Sequence, residues 1–103
     1  MADYLNTVGP VTSISNACAS GNVALAYGKK LIETGITDVV IVSGVDTLSS
    51  FVFAGVNSLK SLDIKACSPL SRSNGLTLGE RAGAIVLELY KNAIKRKRKI
   101  YAY

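Results

Sequence analysis

Histidine and tryptophan are missing from the 103-residue sequence, and cysteine and proline each occur only twice. Without histidine, the chain lacks the imidazole group that serves most often in metal sites and in general acid–base catalysis. Cys18 and Cys67 form no CxxC pair, which excludes a zinc site of cysteines and histidines as well as a disulfide framework. A single Cys18–Cys67 bridge is geometrically possible, but we expect two free thiols, as in a reducing compartment.

Long hydrophobic runs are also missing. No apolar run approaches the roughly 20 residues that a membrane-spanning helix needs, and no charged amino-terminal segment leads into an apolar signal core. Hydrophobic residues make up 49% of the chain and aromatic residues only 7%, a balance typical of an α/β packing of small aliphatic side chains. We therefore expect one cytoplasmic domain at most, over residues 1–103, with no membrane partner.

The excess of positive charge is local. The formal net charge is +5, but six of the twelve basic residues lie in KNAIKRKRK at positions 91–99, here called the basic segment. Three interpretations are open: a solvated helix face, a docking patch for an acidic protein, or a nucleic-acid site. The first is favoured, and we expect no nucleic-acid partner, because the charge is confined to one segment without an aromatic platform.

The first half of the chain has the pattern of a strand, a helix and a strand. Residues 10–15 alternate in part, which predicts a strand beginning near Val11. A buried helix is predicted from Ala17 to about Thr34, because its first half is apolar on nearly all sides. The run DVVIVSG at 38–44 is typical of a strand covered on both faces. The three together predict a right-handed βαβ unit.

Residues typical of helix caps flank the predicted helix. Asn16 is the expected N-cap, with Ser15 as the alternative, since both side chains accept hydrogen bonds from helix amides. Gly35 fits the left-handed position that ends a helix.

The second half has shorter elements with less certain patterning. Residues 51–62 carry apolar side chains at helical spacing, and residues 66–75 have the Ser, Pro, Asn and Gly content of a loop. Residues 76–90 predict a strand, a glycine-containing kink and a second strand. A short basic helix over 91–97 and a final strand in KIYAY, residues 99–103, complete the pattern. The sequence begins shortly before a predicted strand and stops at the end of another without a terminating residue, so we expect a piece of a longer fold.

Cys18 is the residue with the clearest chemical potential. In the first turn of the predicted helix it would lie beside unpaired amide groups and the positive end of the helix dipole, which favour an anion. A thiolate is the nucleophilic form of cysteine, and the same amides could stabilise the oxyanion formed on a thioester. The alternative is inert packing, because free cysteine often acts as a small hydrophobic residue. Position alone favours the alternative.

Three ordered blocks of sequence resemble the β-ketoacyl synthases, the condensing enzymes of fatty-acid and polyketide synthesis. The blocks are SISNACASGNVALAYGKKLIETGITDVVIVSGVD at 13–46, FAGVNSLKSL at 53–62, and ACSPLSRSNGLTLGERAGAIVLE at 66–88. The end of the chain, AIKRKRKIYAY, is similar to the passage that follows in that family. The resemblance implies a partial thiolase-like α/β fold: a mixed sheet with a buried helix that bears the nucleophile.

The resemblance also implies roles for particular residues. Cys18 matches the nucleophile that accepts the acyl group, and its own backbone N–H matches one oxyanion donor. Val56 matches a residue that lines the acyl pocket. Residues 9–15 match the strand that pairs with its twin across a homodimer. The implied partner is acyl carrier protein, whose phosphopantetheine carries the substrates of the decarboxylative Claisen condensation, and no further cofactor is implied.

The chain departs from the family pattern in several places. The two histidines, the lysine and the second oxyanion donor of the family site have no counterpart here, so we expect the chain alone to lack condensing activity. Arg81 replaces a usual glycine, Leu70 replaces an aromatic residue, and the loop at 71–74 is one residue short. Two alternatives therefore stay open: a non-catalytic dimerisation or interaction module, and an acyl acceptor that works with other chains.

Five further positions are interpreted as structural. Cys67 is expected to have a packing or a loop role, and Asp46 to occupy a turn or cap. The segment containing Gly79, Glu80 and Gly83 matches a turn near the family site, without a catalytic step.

Overall fold

The computed structural model describes residues 2–71 and 74–103. Its elements in chain order are α1 (Ala2–Leu5), α2 (Ser20–Glu33), β1 (Val39–Asp46), α3 (Ser50–Ser58), β2 (Arg81–Glu88) and α4 (Tyr90–Lys95). The two strands pair as a two-stranded antiparallel sheet. The chain divides into two compact units: the residues up to Gly44 together with Ala84–Tyr103, and Val45–Gly83.

Helix α2 ends where the sequence predicts and begins later. Gly35 has a φ of +71° and its N–H donates to the carbonyl oxygen of Ile32 at 3.0 Å, which confirms the predicted left-handed stop. The predicted start at Ala17 with an Asn16 cap is wrong, because the N-cap is Ala19 and no side chain caps the helix. Ala17 has a φ of +46°, outside the helical region, so the helix cannot include it.

Helix α2 packs against the sheet of the first unit through one close contact. Gly28 and Ile32 are buried and lie four residues apart, on the same helix face. A Cβ atom at Gly28 would lie only 3.1 Å from side-chain carbons of Val40 and Val42 and 3.2 Å from Leu87. The absence of a side chain at Gly28 therefore lets the helix backbone approach both strands.

Three segments predicted as strands differ in the structure. Residues 10–15, 76–80 and 99–103 form no strand, so the βαβ arrangement predicted for the first half lacks its first strand. An isolated strand leaves its backbone donors and acceptors without partners, and pairing with a neighbour is what stabilises it. Within residues 2–71 and 74–103, only β1 and β2 provide each other with such a neighbour.

Helix α3 lies in the second unit and is shorter than the predicted 51–62. Its N-cap is Ser49, whose Oγ accepts a hydrogen bond from the N–H of Val52 at 3.2 Å. Leu59 is the C-cap, and Lys60 adopts a φ of +54°. The left-handed backbone at Lys60 ends the helix before the last apolar positions of the predicted pattern.

The loop that follows α3 is closed at its base by backbone hydrogen bonds. The N–H of Leu76 donates to Ser61 at 2.9 Å, and the N–H of Asp63 donates to Leu76 at 3.1 Å. Residues 66–71 and 74–75 form no helix or strand, as the loop prediction requires. The prediction of a shortened loop at 71–74 falls in part on Arg72 and Ser73, which lie outside the described residues.

An ion pair joins the basic segment to the sheet. The Nη2 atom of Arg96 lies 2.6 Å from Oε1 of Glu88, whose side chain is only 11% exposed. Hydrogen bonding and attraction to this carboxylate raise the pKa of Arg96, so the guanidinium stays charged. Helix α4 covers residues 90–95 instead of the predicted 91–97. Beyond this helix, the ammonium group of Lys99 lies 4.8 Å from the centre of the Tyr101 ring, which is a cation–π contact.

The described chain exposes an unusual amount of apolar surface. Its accessible surface area is 8923 Å², whereas a folded monomer of 10.8 kDa exposes about 5,500 Å². Of the hydrophobic residues in the described ranges, only Ile32 and Ala93 are buried, while Phe51 is 88% exposed and Tyr101 is 87% exposed. No helix among the described residues is long and apolar enough to span a membrane.

Candidate functional site

Cys18 lies in a tight turn that leads into α2. The N–H of Ala19 donates to the carbonyl oxygen of Asn16 at 3.0 Å, and the N–H of Ser20 donates to that of Ala17 at 3.2 Å. Because Ala19 is the N-cap, Cys18 lies one residue before the helix cap and not in the first helical turn as predicted. The predicted association of this cysteine with a helix N-terminus holds, with a shift of register.

The same turn is tied by a side chain. The Oγ atom of Ser20 accepts a hydrogen bond from the N–H of Asn16 and donates one to the carbonyl oxygen of Ala17, each at 2.7 Å. These two contacts close hydrogen-bonded rings that include the backbone of Cys18. The sequence contains the serine, but its role could not be predicted from an N-cap pattern that placed Asn16 at the cap.

The surroundings of Cys18 leave room for a reactant. Its thiol is exposed, and the space where a Cβ would stand at Gly21 has no atom within 4 Å. In the described ranges, the N–H groups of Gly21 and Asn22 have no hydrogen-bond partner. Amide donors at the positive end of a 14-residue helix favour an anion beside them. Chemically, the arrangement suits a thiolate and the oxyanion that forms when it attacks a carbonyl.

Cys67, the second thiol, is also exposed and belongs to the second unit. Its backbone N–H donates to Oγ1 of Thr77 at 2.9 Å, which ties the two sides of the loop together. Unlike Cys18, it is not adjacent to a helix. The contact agrees with the predicted loop role.

Val56, the predicted acyl-pocket residue, lies in α3 of the second unit and is half-buried. Cys18 belongs to the first unit. Asp46, predicted to occupy a turn or cap, is the last residue of β1.

Glu80 has a contact that sequence reasoning missed. Its Oε1 atom accepts a hydrogen bond from the backbone N–H of Leu48 at 2.8 Å, within the second unit. This contact holds the connection between β1 and α3. The two residues are 32 positions apart, so no local pattern in the sequence could have revealed it.

No group of three or more histidine, cysteine or acidic residues that could hold a metal ion occurs in the described part of the chain.

Comparison with known proteins gives a consistent result. The family model for the β-ketoacyl synthase N-terminal domain matches residues 1–93. Nodulation protein E of Rhizobium sp. (strain N33) is 40% identical over 98 residues, covering 91% of this chain and 24% of that protein. The 3-oxoacyl-[acyl-carrier-protein] synthase 2 of Vibrio cholerae is 32% identical over 102 residues, covering 91% of this chain and 25% of that protein.

The fold agrees with these matches. A crystal structure of a β-ketoacyl synthase from Burkholderia phymatum superimposes with a TM-score of 0.80 at 26% sequence identity, covering 95% of this chain and 26% of that one. This similarity confirms the predicted α/β, thiolase-like fold class. The chain spans about a quarter of the length of the relatives it matches. It belongs to the β-ketoacyl synthase family and corresponds to part of its N-terminal domain.

Proposed function

We propose that Cys18 is the acyl-accepting nucleophile of a β-ketoacyl synthase. The observation that carries the proposal is the exposed Cys18 one residue before the cap of α2, a helix whose Gly21 and Asn22 amides have no partner among the described residues. Membership of a family of condensing acyltransferases supports it. Cys67 shares the exposure but lacks the adjacent helix terminus.

The proposed half-reaction is a thioester exchange. The Cys18 thiolate attacks the carbonyl carbon of an acyl group carried on phosphopantetheine, and a carbon–sulfur bond to Sγ forms. The negative charge on the carbonyl oxygen is stabilised by the backbone N–H of Cys18 and by helix amides. The intermediate collapses when the bond to the pantetheine sulfur breaks, and that sulfur leaves as a thiolate that takes up a proton from water.

The second half-reaction is assigned to the complete synthase. In it, a malonyl thioester loses CO₂, and the resulting carbanion attacks the acyl-Cys18 thioester to give a 3-oxoacyl product. The sequence contains no histidine to assist decarboxylation. We therefore expect acyl transfer without catalytic condensation from this chain alone.

The proposed partners are acyl carrier protein and a second synthase subunit. The Vibrio relative is named for its acyl-carrier-protein substrate, and Val56 is the proposed acyl-pocket residue in this chain. For a homodimer, the proposed contact is residues 9–15. This stretch has no strand partner in the described chain, and Val11 is 76% exposed.

The test is acylation of the purified chain by an acyl-phosphopantetheine thioester, followed by mass mapping of both cysteine peptides. We expect the acyl adduct on the Cys18 peptide, complete loss of that adduct in Cys18→Ser, and normal labelling in the matched control Cys67→Ser. Cerulenin should modify the same peptide. Equal labelling of both cysteines, or none, would refute the proposal.

A second candidate is a non-catalytic interaction module. The exposed apolar surface favours it, because such surface is characteristic of protein–protein contacts. Acyl transfer to Cys18 separates the two candidates, since an interaction module has no need of a reactive thiol.

A further inference from the structure

We propose that Ser20 is a positioning residue, whose hydroxyl group holds the Cys18 turn in its reactive geometry. The inference rests on the proposed function, since this geometry matters only if Cys18 is the nucleophile. It assigns to Ser20 no contact with the substrate. Its action is through the backbone on either side of the thiol.

The two contacts of Ser20 act on the residues that precede Cys18. Its Oγ accepts from the N–H of Asn16 and donates to the carbonyl oxygen of Ala17, each at 2.7 Å. One hydroxyl thus uses both its donor and its acceptor capacity across the turn. Because Ser20 is the first residue of α2, the turn is tied to the helix itself.

The backbone at Ala17 explains why such a tie is needed. Its φ of +46° is in the left-handed region, which a residue with a Cβ rarely adopts. Alanine has no polar side chain to stabilise that conformation locally. The hydroxyl of Ser20 bonds directly to the carbonyl group of this residue, so it offsets the strain where it arises.

Loss of the Ser20 hydroxyl should change the conformation of the turn at residues 16–20 without unfolding helix α2. Helix α2 packs on the sheet at Gly28, about two turns beyond Ser20. The N–H groups of Ala19 and Ser20 keep their backbone acceptors. Ala17 would then relax toward negative φ, and the backbone of Cys18 would move relative to the first turn of α2.

The experiment measures alkylation of Cys18 by iodoacetamide in the full chain, with Cys67 as an internal reference in every sample. In Ser20→Ala we expect the ratio of Cys18 to Cys67 alkylation to fall by about three- to tenfold, as for loss of a net hydrogen bond or two. Ser20→Thr keeps the hydroxyl and should restore the ratio. Ser13→Ala removes an exposed hydroxyl without a hydrogen bond among the described residues and should leave the ratio unchanged.

A second variant tests the role of the left-handed residue. Glycine adopts positive φ without strain, so Ala17→Gly combined with Ser20→Ala should recover part of the lost ratio. An unchanged ratio in Ser20→Ala, or failure of Ser20→Thr to restore it, would overturn the inference. So would loss of helical circular dichroism together with the ratio, because Ser20 would then act as a general helix stabiliser.

The result is independent of the acylation test. A Ser20 effect on alkylation, without acyl transfer to Cys18 in the unmodified chain, would retain the hydroxyl contact and refute the proposed function. Acyl transfer to Cys18 at full rate in Ser20→Ala would support the proposed function and refute the positioning role of Ser20.

Discussion

The packing of α2 on the sheet depends on the absence of a side chain at Gly28. A Cβ there would come within 3.1 to 3.2 Å of three side chains of the sheet. Extra volume in a packed contact costs about 1–3 kcal/mol, while replacing a helical glycine by alanine returns about 1 kcal/mol. We therefore expect Gly28→Ala to lower the free energy of unfolding by about 1 kcal/mol, measured by urea titration of the helical circular dichroism signal.

Gly21 provides the matched control in the same helix. No atom lies within 4 Å of the space that its Cβ would occupy, so Gly21→Ala should be neutral or stabilising by about 0.5 kcal/mol. Equal effects of the two substitutions would show that the contact at Gly28 does not limit the packing of α2.

Residue-level features were only partly accessible from the sequence. The proximity of Cys18 to a helix terminus followed from the helical pattern after the cap-type residue Asn16 and from the family resemblance. The left-handed backbone of Ala17 did not, because alanine is a strong helix former and nothing local marks it as a turn residue. That one dihedral angle shifted the start of α2 from Ala17 to Ser20.

At the scale of elements, the connection between β1 and α3 depends on a distant carboxylate. The N–H of Leu48 donates to Glu80 at 2.8 Å, and both residues are exposed. Glu80→Ala should speed hydrogen exchange of the Leu48 amide about fivefold, the factor for loss of one net hydrogen bond. Amide exchange followed by NMR measures this directly.

Two variants frame that result. Glu80→Gln retains an acceptor oxygen and should leave exchange of the Leu48 amide close to that of the unmodified chain. Glu33→Ala removes the exposed Lys29–Glu33 ion pair in α2 and should have no effect at Leu48. Unchanged exchange in Glu80→Ala would show that the carboxylate does not restrain this connection.

Elements with local signals were predicted, and those that depend on distant neighbours were not. The stop at Gly35 and the continuous β-branched run of β1 are local features, and both elements form where predicted. The prediction that β1 is covered on both faces is wrong, because Val39, Ile41 and Val45 are exposed. The strand patterns at 10–15 and 99–103 have no partner in the described chain and stay irregular. Helix α3 ends earlier than predicted, at Ser58, and Lys60 then adopts a left-handed backbone. A lysine in the sequence does not indicate such a conformation.

For the whole molecule, the accessible surface is large and includes many exposed hydrophobic side chains. The accessible area of 8923 Å² exceeds that of a folded monomer of this mass by about 3,400 Å². We expect strong enhancement of 1-anilinonaphthalene-8-sulfonate fluorescence, and a sedimentation coefficient that rises with concentration, because exposed apolar patches bind dyes and one another.

The expected contribution of residues 9–15 gives this prediction a matched control. Val11→Lys places a charge in the proposed contact and should reduce self-association, whereas Ile64→Lys, at a fully exposed position in the second unit, should reduce it less. A monomer at all concentrations, without dye binding, would contradict both the exposure of the apolar side chains and the proposed dimer contact.

The length of α2 gives the contact at Gly28 a mechanical meaning. Ser20 and Gly28 lie about 12 Å apart along the helix axis, so a tilt of about five degrees about Gly28 displaces the amino end by about 1 Å. Reacting groups misplaced by that amount lose rate on the order of 100-fold. Under the proposed function, the rate at which Cys18 is acylated would therefore depend on how α2 packs at Gly28, about 12 Å from the amino end of the helix.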